Sequence, residues 1–518
     1  MKGVVAAGHP LSAQAGADVL REGGNAVDAA VAAVLMSFAA ESPLTGPGAG
    51  GFMLVHTPEG EDVLLDFFVA APGRGLESPK PGSLTPIDVE FGENAVQVFN
   101  IGPASCGAYG TTRGLAHALE RFGSMPLEPL ARRAADAARA GIEVTEMQAF
   151  LLSILAPILR ATPEAAAIYE PNGRPLRAGE RIELPELAVL LDRLGAEGPG
   201  FLYDGDVAAA VTDWVLERGG LLTRDDLSGY EVVEREPVHV SYCGRDVLTN
   251  PPPSSGGILI SYSLGLLDCP VGSDGNGPGP VRRLVEVMER TNRARTDEFH
   301  EALQTEGFLE RFLARDAAES AARESGTRSG KGGRLGSTTH VATMDGEGGC
   351  ASVTCSNGSC SGVVVPGTGM HLNNMLGEDD LNPLGFHRHP PGARVPSMMS
   401  PTVVLRDGRP EVALGSAGSN RIRSAILQTI QAVVEDGQPA QEAVRRPRVH
   451  FEAGTVEAEP GVDEAELEAL EEAGWKVQRW LERNLYFGGV QAVARAPETG
   501  ALSGGGDPRR GGAARVAD

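Results

Sequence analysis

The stretch GSTTHVATMDGEGGCASVTCSN (Gly336–Asn357) carries the clearest structural pattern in this chain of 518 residues. TTHVATM alternates in the manner of a β-strand, DGEGG is typical of a turn, and CASVTCS returns as a second strand. If this hairpin is symmetric about Glu347, residues whose numbers sum to 694 face each other. Thr338 then heads the first strand and lies opposite Ser356, beside Asn357.

The segment before the hairpin differs sharply in composition from the rest of the chain. SGTRSGKGGRLGS (Ser325–Ser337) is rich in Gly, Ser, Lys and Arg, and its one bulky apolar residue is Leu335. Such a segment cannot bury itself, so we expect an exposed, flexible loop. On composition alone, a plain interdomain linker is an equally good interpretation.

A threonine that follows such a loop suggests a particular chemistry. A threonine hydroxyl is a weak nucleophile near neutral pH and needs a base. Cleavage of the Ser337–Thr338 bond would free an α-amine with a pKa of about 7.7–8.0, which could take the hydroxyl proton directly or through water. Ser356 would orient Thr338 by hydrogen bonding. A hydroxyl at the start of a strand usually has a structural role, so the hairpin alone does not decide the function.

Composition limits the classes of partner. Lys and Arg number 45 against 69 Asp and Glu, a net charge of −24 that disfavours nucleic acid and anionic membranes as partners. The longest apolar stretch, Ala29–Ala40, is shorter than the roughly 20 residues that span a bilayer. The N-terminus lacks the apolar run of a signal peptide, so we expect a cytoplasmic protein with reduced cysteines.

The rest of the chain mixes helices and strands. Ser12–Ala40 reads as two helices broken at Gly23–Asn25, the second of them apolar on nearly every face and therefore buried. Phe52–His56 and the following DVLLDFF predict a β-hairpin, and HVSYCGRDVLTN predicts another. A helix-rich stretch, Val281–Glu324, precedes the Gly- and Ser-rich segment.

Several blocks in this order resemble the γ-glutamyltransferase (γ-glutamyltranspeptidase) family along nearly the whole chain. The blocks are GHPLSAQAGADVLREGGNAVDAAVA, GAGGFMLV, YDGDVAAAV, LTRDDLSGY, PPPSSGG, GSTTH, LNNMLGEDDLNP, PSMMSPT, GSAGSNRIRSA and DPRRGGAA. The resemblance implies an N-terminal-nucleophile hydrolase with a four-layer αββα sandwich, an α/β (α+β) fold. It also implies a precursor that cuts itself into a large subunit, 1–337 with a flexible tail at 325–337, and a small subunit, 338–518. The two would form one intertwined body, with no metal and no organic cofactor.

The resemblance also assigns roles to individual residues. Thr338 corresponds to the family nucleophile, and Ser356 to the hydroxyl residue that supports it. Asn357 corresponds to a substrate-contacting Asn if a one-residue gap is allowed before it. Ser397 corresponds to the first serine of a pair that binds the substrate carboxylate. Gly418 and Ser419 correspond to two glycines whose amides form the oxyanion hole, and Ser419 can serve if its backbone angles suit a residue with a Cβ.

The residues that depart from the family pattern are those that the resemblance assigns to substrate binding. Phe68 in Asp66-Phe67-Phe68-Val69 stands where typical members have the Arg that grips the α-carboxylate of a γ-glutamyl group, and a phenyl ring cannot make that bidentate contact. Met398 replaces the second serine of the pair. For the acid that binds the substrate amine, three candidates stay open, Glu378, Asp379 and Asp380, and Asp380 is the one we select. Two residues could supply a replacement cation, Arg74 and Arg394. An Arg restored at Phe68 is expected to raise activity on γ-glutamyl anilides.

Four functions remain open at this stage. The first is hydrolysis or transfer of a γ-glutamyl-like acyl group from glutathione or a γ-glutamyl amide, with water or an amine as acceptor. The second is an acylase acting on a non-glutamyl amide, and the third a biosynthetic hydrolase acting on a natural-product intermediate. The fourth is an unprocessed, non-catalytic homologue. A metal site is disfavoured because Cys350, Cys355 and Cys360 recur at an odd spacing, and because the loop histidines (His371, His387, His389) lack a second ligand motif.

Overall fold

The hairpin that contains Thr338 has the predicted register. The computed structural model describes residues 2–90, 96–267, 279–319 and 338–518. Thr339 pairs with Cys355, and the pairing runs without a shift to Met344 and Cys350, so each pair sums to 694 as predicted. Ser337, the segment 325–337 and the end of the predicted helix-rich stretch lie outside the described residues.

The strands and helices are numbered along the chain. The strands are β1 Gly3–Ala7, β2 Gly50–His56, β3 Asp62–Phe67, β4 Thr85–Glu90, β5 Val96–Ile101, β6 Ile142–Glu143, β7 Arg181–Ile182, β8 Val233–Arg235, β9 Val238–Tyr242, β10 Arg245–Thr249, β11 Thr339–Asp345, β12 Cys350–Ser356, β13 Val364–Val365, β14 Met370–His371, β15 Thr402–Arg406, β16 Arg409–Ala417, β17 Val449–Glu452, β18 Thr455–Ala458, β19 Lys476–Arg479, β20 Gly489–Arg495, β21 Leu502–Gly506 and β22 Ala513–Ala517. The helices are α1 Pro10–Arg21, α2 Ala26–Ala40, α3 Thr111–Phe122, α4 Leu127–Ala140, α5 Glu146–Leu159, α6 Pro163–Tyr169, α7 Pro185–Glu197, α8 Phe201–Asp204, α9 Asp206–Glu217, α10 Arg224–Ser228, α11 Gly256–Leu267, α12 Pro280–Ala294, α13 Asp297–Ala302, α14 Phe308–Glu319, α15 Arg421–Val434, α16 Ala440–Arg445 and α17 Glu464–Glu472.

Two large sheets form the centre of the fold. One has seven strands in the order β22-β1-β11-β12-β2-β3-β8, and the other has six in the order β21-β20-β16-β15-β10-β9. They pack face to face, with β11 and β12 against β16 and with β1 against β21. The first sheet joins strands that precede residue 338 to strands that follow it, because β1 lies between β22 and β11. The two parts of the chain therefore share one core.

Helices cover both outer faces, which completes the predicted αββα sandwich. Helices α1 and α2 pack on the seven-stranded sheet, and α11 and α15 pack on the six-stranded one. Helix α2 is buried along its entire length, as its uniformly apolar sequence predicts. Asn25 begins this helix with a capping box to Asp28, which satisfies backbone amides that would otherwise be buried without partners. None of the helices in the described ranges has both the length and the apolar character that crossing a membrane requires.

Candidate active site

Thr338 lies immediately before β11 and is buried, with 5% of its surface exposed. Its Oγ1 donates a hydrogen bond of 3.3 Å to the Ser356 Oγ at the end of β12. The backbone N–H of Gly358 donates to the same Ser356 oxygen over 2.8 Å. Ser356 pairs with Gly50 of β2, and the residue before it, Cys355, pairs with Thr339 of β11. The sheet therefore fixes the Thr338 hydroxyl against an anchored hydroxyl, as the register predicts.

A pocket opens beside Thr338. Apolar and thioether side chains, hydroxyls and carboxylates form its wall. The lining residues are Thr338, Ser356, Gly358, Met375, Glu378, Asp380, Leu381, Ser397, Met398, Met399, Ser419 and Ile422. The structure thus brings five of the predicted site residues to one pocket with Thr338: Ser356, Ser397, Met398, Ser419 and Asp380.

The turn between β16 and α15 provides the backbone conformation that an oxyanion hole needs. Gly418 has φ 125° and Ser419 has φ 51°, both in the region that favours glycine. A Cβ at Gly418 would lie 3.0 Å from the Cα of Gly488, so only glycine fits there. Ser419 tolerates its left-handed φ, and its Oγ donates to Asp380. Two consecutive positive φ values just before a helix N-terminus suit amides that bind a developing negative charge.

Ser397 and Met398 lie on a buried loop that is anchored to the segment before α11. The Ser397 carbonyl accepts hydrogen bonds from the Ser254 Oγ at 2.8 Å and from the Ser255 N–H at 2.9 Å. The Ser397 Oγ accepts from the Met399 N–H at 3.1 Å. This loop presents one hydroxyl and two thioethers to the pocket, from Ser397, Met398 and Met399.

Two of the three candidate acids line the pocket. The Glu378 Oε1 accepts from the N–H and the Oγ of Ser359, both at 3.0 Å, and burial raises the pKa of Glu378 to about 7. Asp380 accepts from Ser419 and, over 3.4 Å, from the Asn420 side chain. Asp379 is not among the lining residues.

Asn357 and Phe68 lie outside the pocket wall. Asn357 is fully buried, its side-chain amide reaches toward Gly46, and neither polar atom of that amide has a hydrogen-bond partner within the described part of the chain. Phe68 is also fully buried, stacks on Phe52 at a centroid distance of 5.2 Å, and shares an apolar cluster with Met375 and Met399. Phe68 therefore belongs to the same apolar cluster as two side chains that line the pocket.

The two candidate replacement cations are engaged elsewhere. The Nε of Arg394 lies 3.1 Å from Asp66, and its guanidinium lies over the ring of Tyr230. The guanidinium of Arg74 donates to the carbonyl of Gly229 at 2.7 Å. Neither side chain lines the pocket, so the structure does not support either one as a substitute for the missing Arg.

The sequence analysis did not identify Glu41, which directly follows α2 and contacts β11, the strand that Thr338 precedes. The Thr339 Oγ1 donates to the Glu41 Oε2 at 2.7 Å, and the Ser12 Oγ donates to the Glu41 Oε1 at 3.3 Å. A Cβ on Gly8 would approach the Glu41 Oε2 to 2.3 Å, so this carboxyl requires glycine there. Burial raises the pKa of Glu41 to about 7, although these hydrogen bonds and the charge of Arg510 oppose the rise. The one available signal was an acid directly after the long apolar run Ala29–Ala40.

The two buried carboxyls each predict a contribution to stability that is lost between pH 5 and pH 8, while the buried histidines, whose pKa values burial lowers, contribute in the opposite direction. Each pKa is raised in the folded state from an ordinary 4.5 to about 7. Each group therefore contributes stability that is fully present below about pH 4.5 and is lost as the pH rises through 7, by about 3 kcal/mol per group. Urea unfolding at both pH values should show that the unfolding free energy of wild type, relative to that of Glu41→Gln, falls by about 3 kcal/mol from pH 5 to pH 8.

The control for this experiment is Glu347→Gln in the exposed β11–β12 turn, which should keep the wild-type dependence on pH. A Glu41→Gln protein with the same pH slope as wild type would contradict the assignment.

Within the described residues, no group of three or more His, Cys, Asp or Glu side chains is placed to hold a metal ion. The site contains a buried hydroxyl at the head of a strand, a second hydroxyl that fixes it, a turn with two consecutive positive φ values and a pocket. Nucleophilic acyl transfer requires groups of these kinds.

The αββα sandwich and a threonine heading its central hairpin define an N-terminal-nucleophile hydrolase. A crystal structure of cephalosporin acylase from Bacillus halodurans superposes with a TM-score of 0.85 at 26% identity, covering 100% of this chain and 96% of that one. The family model for gamma-glutamyltranspeptidase matches residues 12–517. The chain belongs to the γ-glutamyltranspeptidase family, and it is an enzyme of the hydrolase and acyltransferase type.

Two curated relatives show the range of this family. The Acylase ACY 1 proenzyme of Pseudomonas sp. (strain SE83) is 33% identical over 97% of this chain and 91% of its own length. The Glutathione hydrolase proenzyme of Escherichia coli (strain K12) is 30% identical over 98% of this chain and 90% of its own length. Both are named as proenzymes, which agrees with a precursor that is cleaved into two subunits.

Proposed function

We propose that Thr338 is both the cleavage point of the precursor and the nucleophile of the mature enzyme. The observation that carries this proposal is the Thr338 hydroxyl, held 3.3 Å from Ser356 at the wall of the pocket. Cleavage before Thr338 would leave its α-amine on the same residue as the hydroxyl, at a pKa suited to a general base.

The reaction would then proceed through an ester on Thr338. The Thr338 Oγ1 attacks the acyl carbonyl carbon while its proton passes to the α-amine. The amides of Gly418 and Ser419 stabilise the oxyanion. The C–N bond breaks, and the departing amine leaves with that proton. Water or a second amine attacks the ester next, which releases the acid or a new amide and restores the hydroxyl.

Acyl amides are the substrates this site supports best, and two groups of them compete. A γ-glutamyl amide such as glutathione is the substrate suggested by the name of the Escherichia coli relative. A non-glutamyl amide is favoured because a buried Phe68 stands in place of the Arg that binds a γ-glutamyl carboxylate. Among the described residues, no cation lines the pocket to replace that Arg. Turnover of glutathione and a cytoplasmic location stay predictions, and assays on glutathione and cell fractionation test them.

Mass spectrometry tests the proposal in two steps. The small fragment of the purified protein should begin at Thr338. After rapid quenching during turnover of an acyl p-nitroanilide, that fragment should gain the mass of the acyl group, and fragmentation should place the added mass on Thr338. A small fragment with a different first residue, or an acyl group on another side chain, contradicts the proposal.

A further inference from the structure

The pocket beside Thr338 has an uneven distribution of charge. Two carboxyl side chains line it, from Glu378 and Asp380, and no Lys, Arg or His does so among the residues the structure describes. The other lining side chains are apolar or thioether, from Met375, Leu381, Met398, Met399 and Ile422, or hydroxyls, from Thr338, Ser356, Ser397 and Ser419. A substrate carboxylate would find carboxyl groups and no cation in this wall.

Two buried arginines at the start of α15 do not line the pocket. Arg423 lies close enough to Asp380 to interact with it electrostatically, but it is buried and donates to the Asn292 side chain at 3.0 Å. Arg421 is fully buried against Glu452 and the ring of Tyr486. Neither guanidinium lines the pocket, although the three guanidinium nitrogens of Arg421 have no hydrogen-bond partner among the described residues.

Asp380 is placed to receive a positively charged group. It is partly exposed, and its carboxylate is oriented by the Ser419 hydroxyl and the Asn420 amide. Ser419 belongs to the same turn as Gly418, so this carboxylate lies next to the proposed oxyanion hole. An ammonium group on the acyl chain could donate to Asp380 while the chain lies along the methionines.

We infer that this enzyme selects acyl groups that are apolar along their length and carry an amine but no carboxylate. The substrate class is amides of ω-amino acids. The inference rests on the proposed role of Thr338, and it extends that role by naming which acyl groups reach it. Phe68 lies in the same apolar cluster as Met375 and Met399, and its phenyl ring supplies no counter-charge for a carboxylate.

A matched set of p-nitroanilides tests the inference on the processed enzyme. The acyl groups are hexanoyl, 6-aminohexanoyl, adipoyl and γ-glutamyl, which separate chain length from the charge at its end. We expect kcat/KM for 6-aminohexanoyl to exceed that for adipoyl by at least about tenfold, with hexanoyl between them. A preference for adipoyl or γ-glutamyl over hexanoyl overturns the inference and leaves the role of Thr338 standing. Turnover of none of the four, or turnover that persists in Thr338→Ala, counts against the proposed function instead.

A variant pair tests the part played by Asp380. Asp380→Asn should lower the ratio of 6-aminohexanoyl to hexanoyl turnover by at least about fivefold, because the ammonium loses its counter-charge. The matched control is Asp407→Asn in the exposed β15–β16 turn, which should keep the wild-type ratio. An unchanged ratio in a folded Asp380→Asn protein overturns the assignment of Asp380. If that variant does not fold, the wild-type series alone still decides the substrate class.

Discussion

Thr338→Ala is expected to give one uncut polypeptide without acyl-transfer activity. The variant lacks the hydroxyl that would attack the Ser337–Thr338 bond and, later, the substrate. A denaturing gel should therefore replace two bands, of 337 and 181 residues, with a single band of 518. Activity should fall by at least about 10³-fold, since loss of a nucleophile removes the covalent route and leaves only what binding and the oxyanion hole supply.

Two controls separate this loss from misfolding. Thr338→Ser keeps both a hydroxyl and an α-amine, so it should still be processed and show activity. Thr499→Ala removes an exposed threonine near the C-terminus and should behave as wild type. A Thr338→Ala protein that is still cut at this bond, or wild-type enzyme that is active as an intact chain, would refute the proposed role.

The architecture around Thr338 was predictable because it depends on local patterns. A strand alternates with a period of two, so a tight turn at Asp345–Gly349 set the register of β11 and β12 and placed Thr338 opposite Ser356. Helix α2 was predictable for a similar reason, since a run of apolar residues on every face can only be buried.

The surroundings of the site were less predictable because they depend on long-range packing. Glu41 accepts a hydrogen bond from Thr339, which is about 300 positions away in the sequence, so no local pattern predicts that contact. The pairing of Arg394 also depends on long-range packing, and the sequence alone suggested that this cation was free. In the folded protein Asp66 pairs with Arg394 and with Arg235, so Arg394 is held at this carboxylate and away from the pocket.

Phe68→Arg is the substitution for which sequence and structure give opposite expectations. The family pattern predicts that an Arg at this position restores recognition of a γ-glutamyl carboxylate. The structure places the side chain at 0% exposure, stacked on Phe52 within an apolar cluster. The closest acid along the strand, Asp66, already pairs with Arg235 at 2.8 Å and with Arg394 at 3.1 Å. An added guanidinium would thus be buried without a free carboxylate.

We therefore expect Phe68→Arg to lose about 3–5 kcal/mol of unfolding free energy, the usual cost of an uncompensated buried charge. Urea unfolding and soluble yield measure this loss. The matched control, Phe68→Leu, removes the ring without adding charge and should cost about 1 kcal/mol. A folded Phe68→Arg enzyme that hydrolyses γ-glutamyl p-nitroanilide faster than wild type would show that this side chain can turn into the pocket. In that case the Phe68 ring itself, and not the packing around it, would exclude the substrate carboxylate.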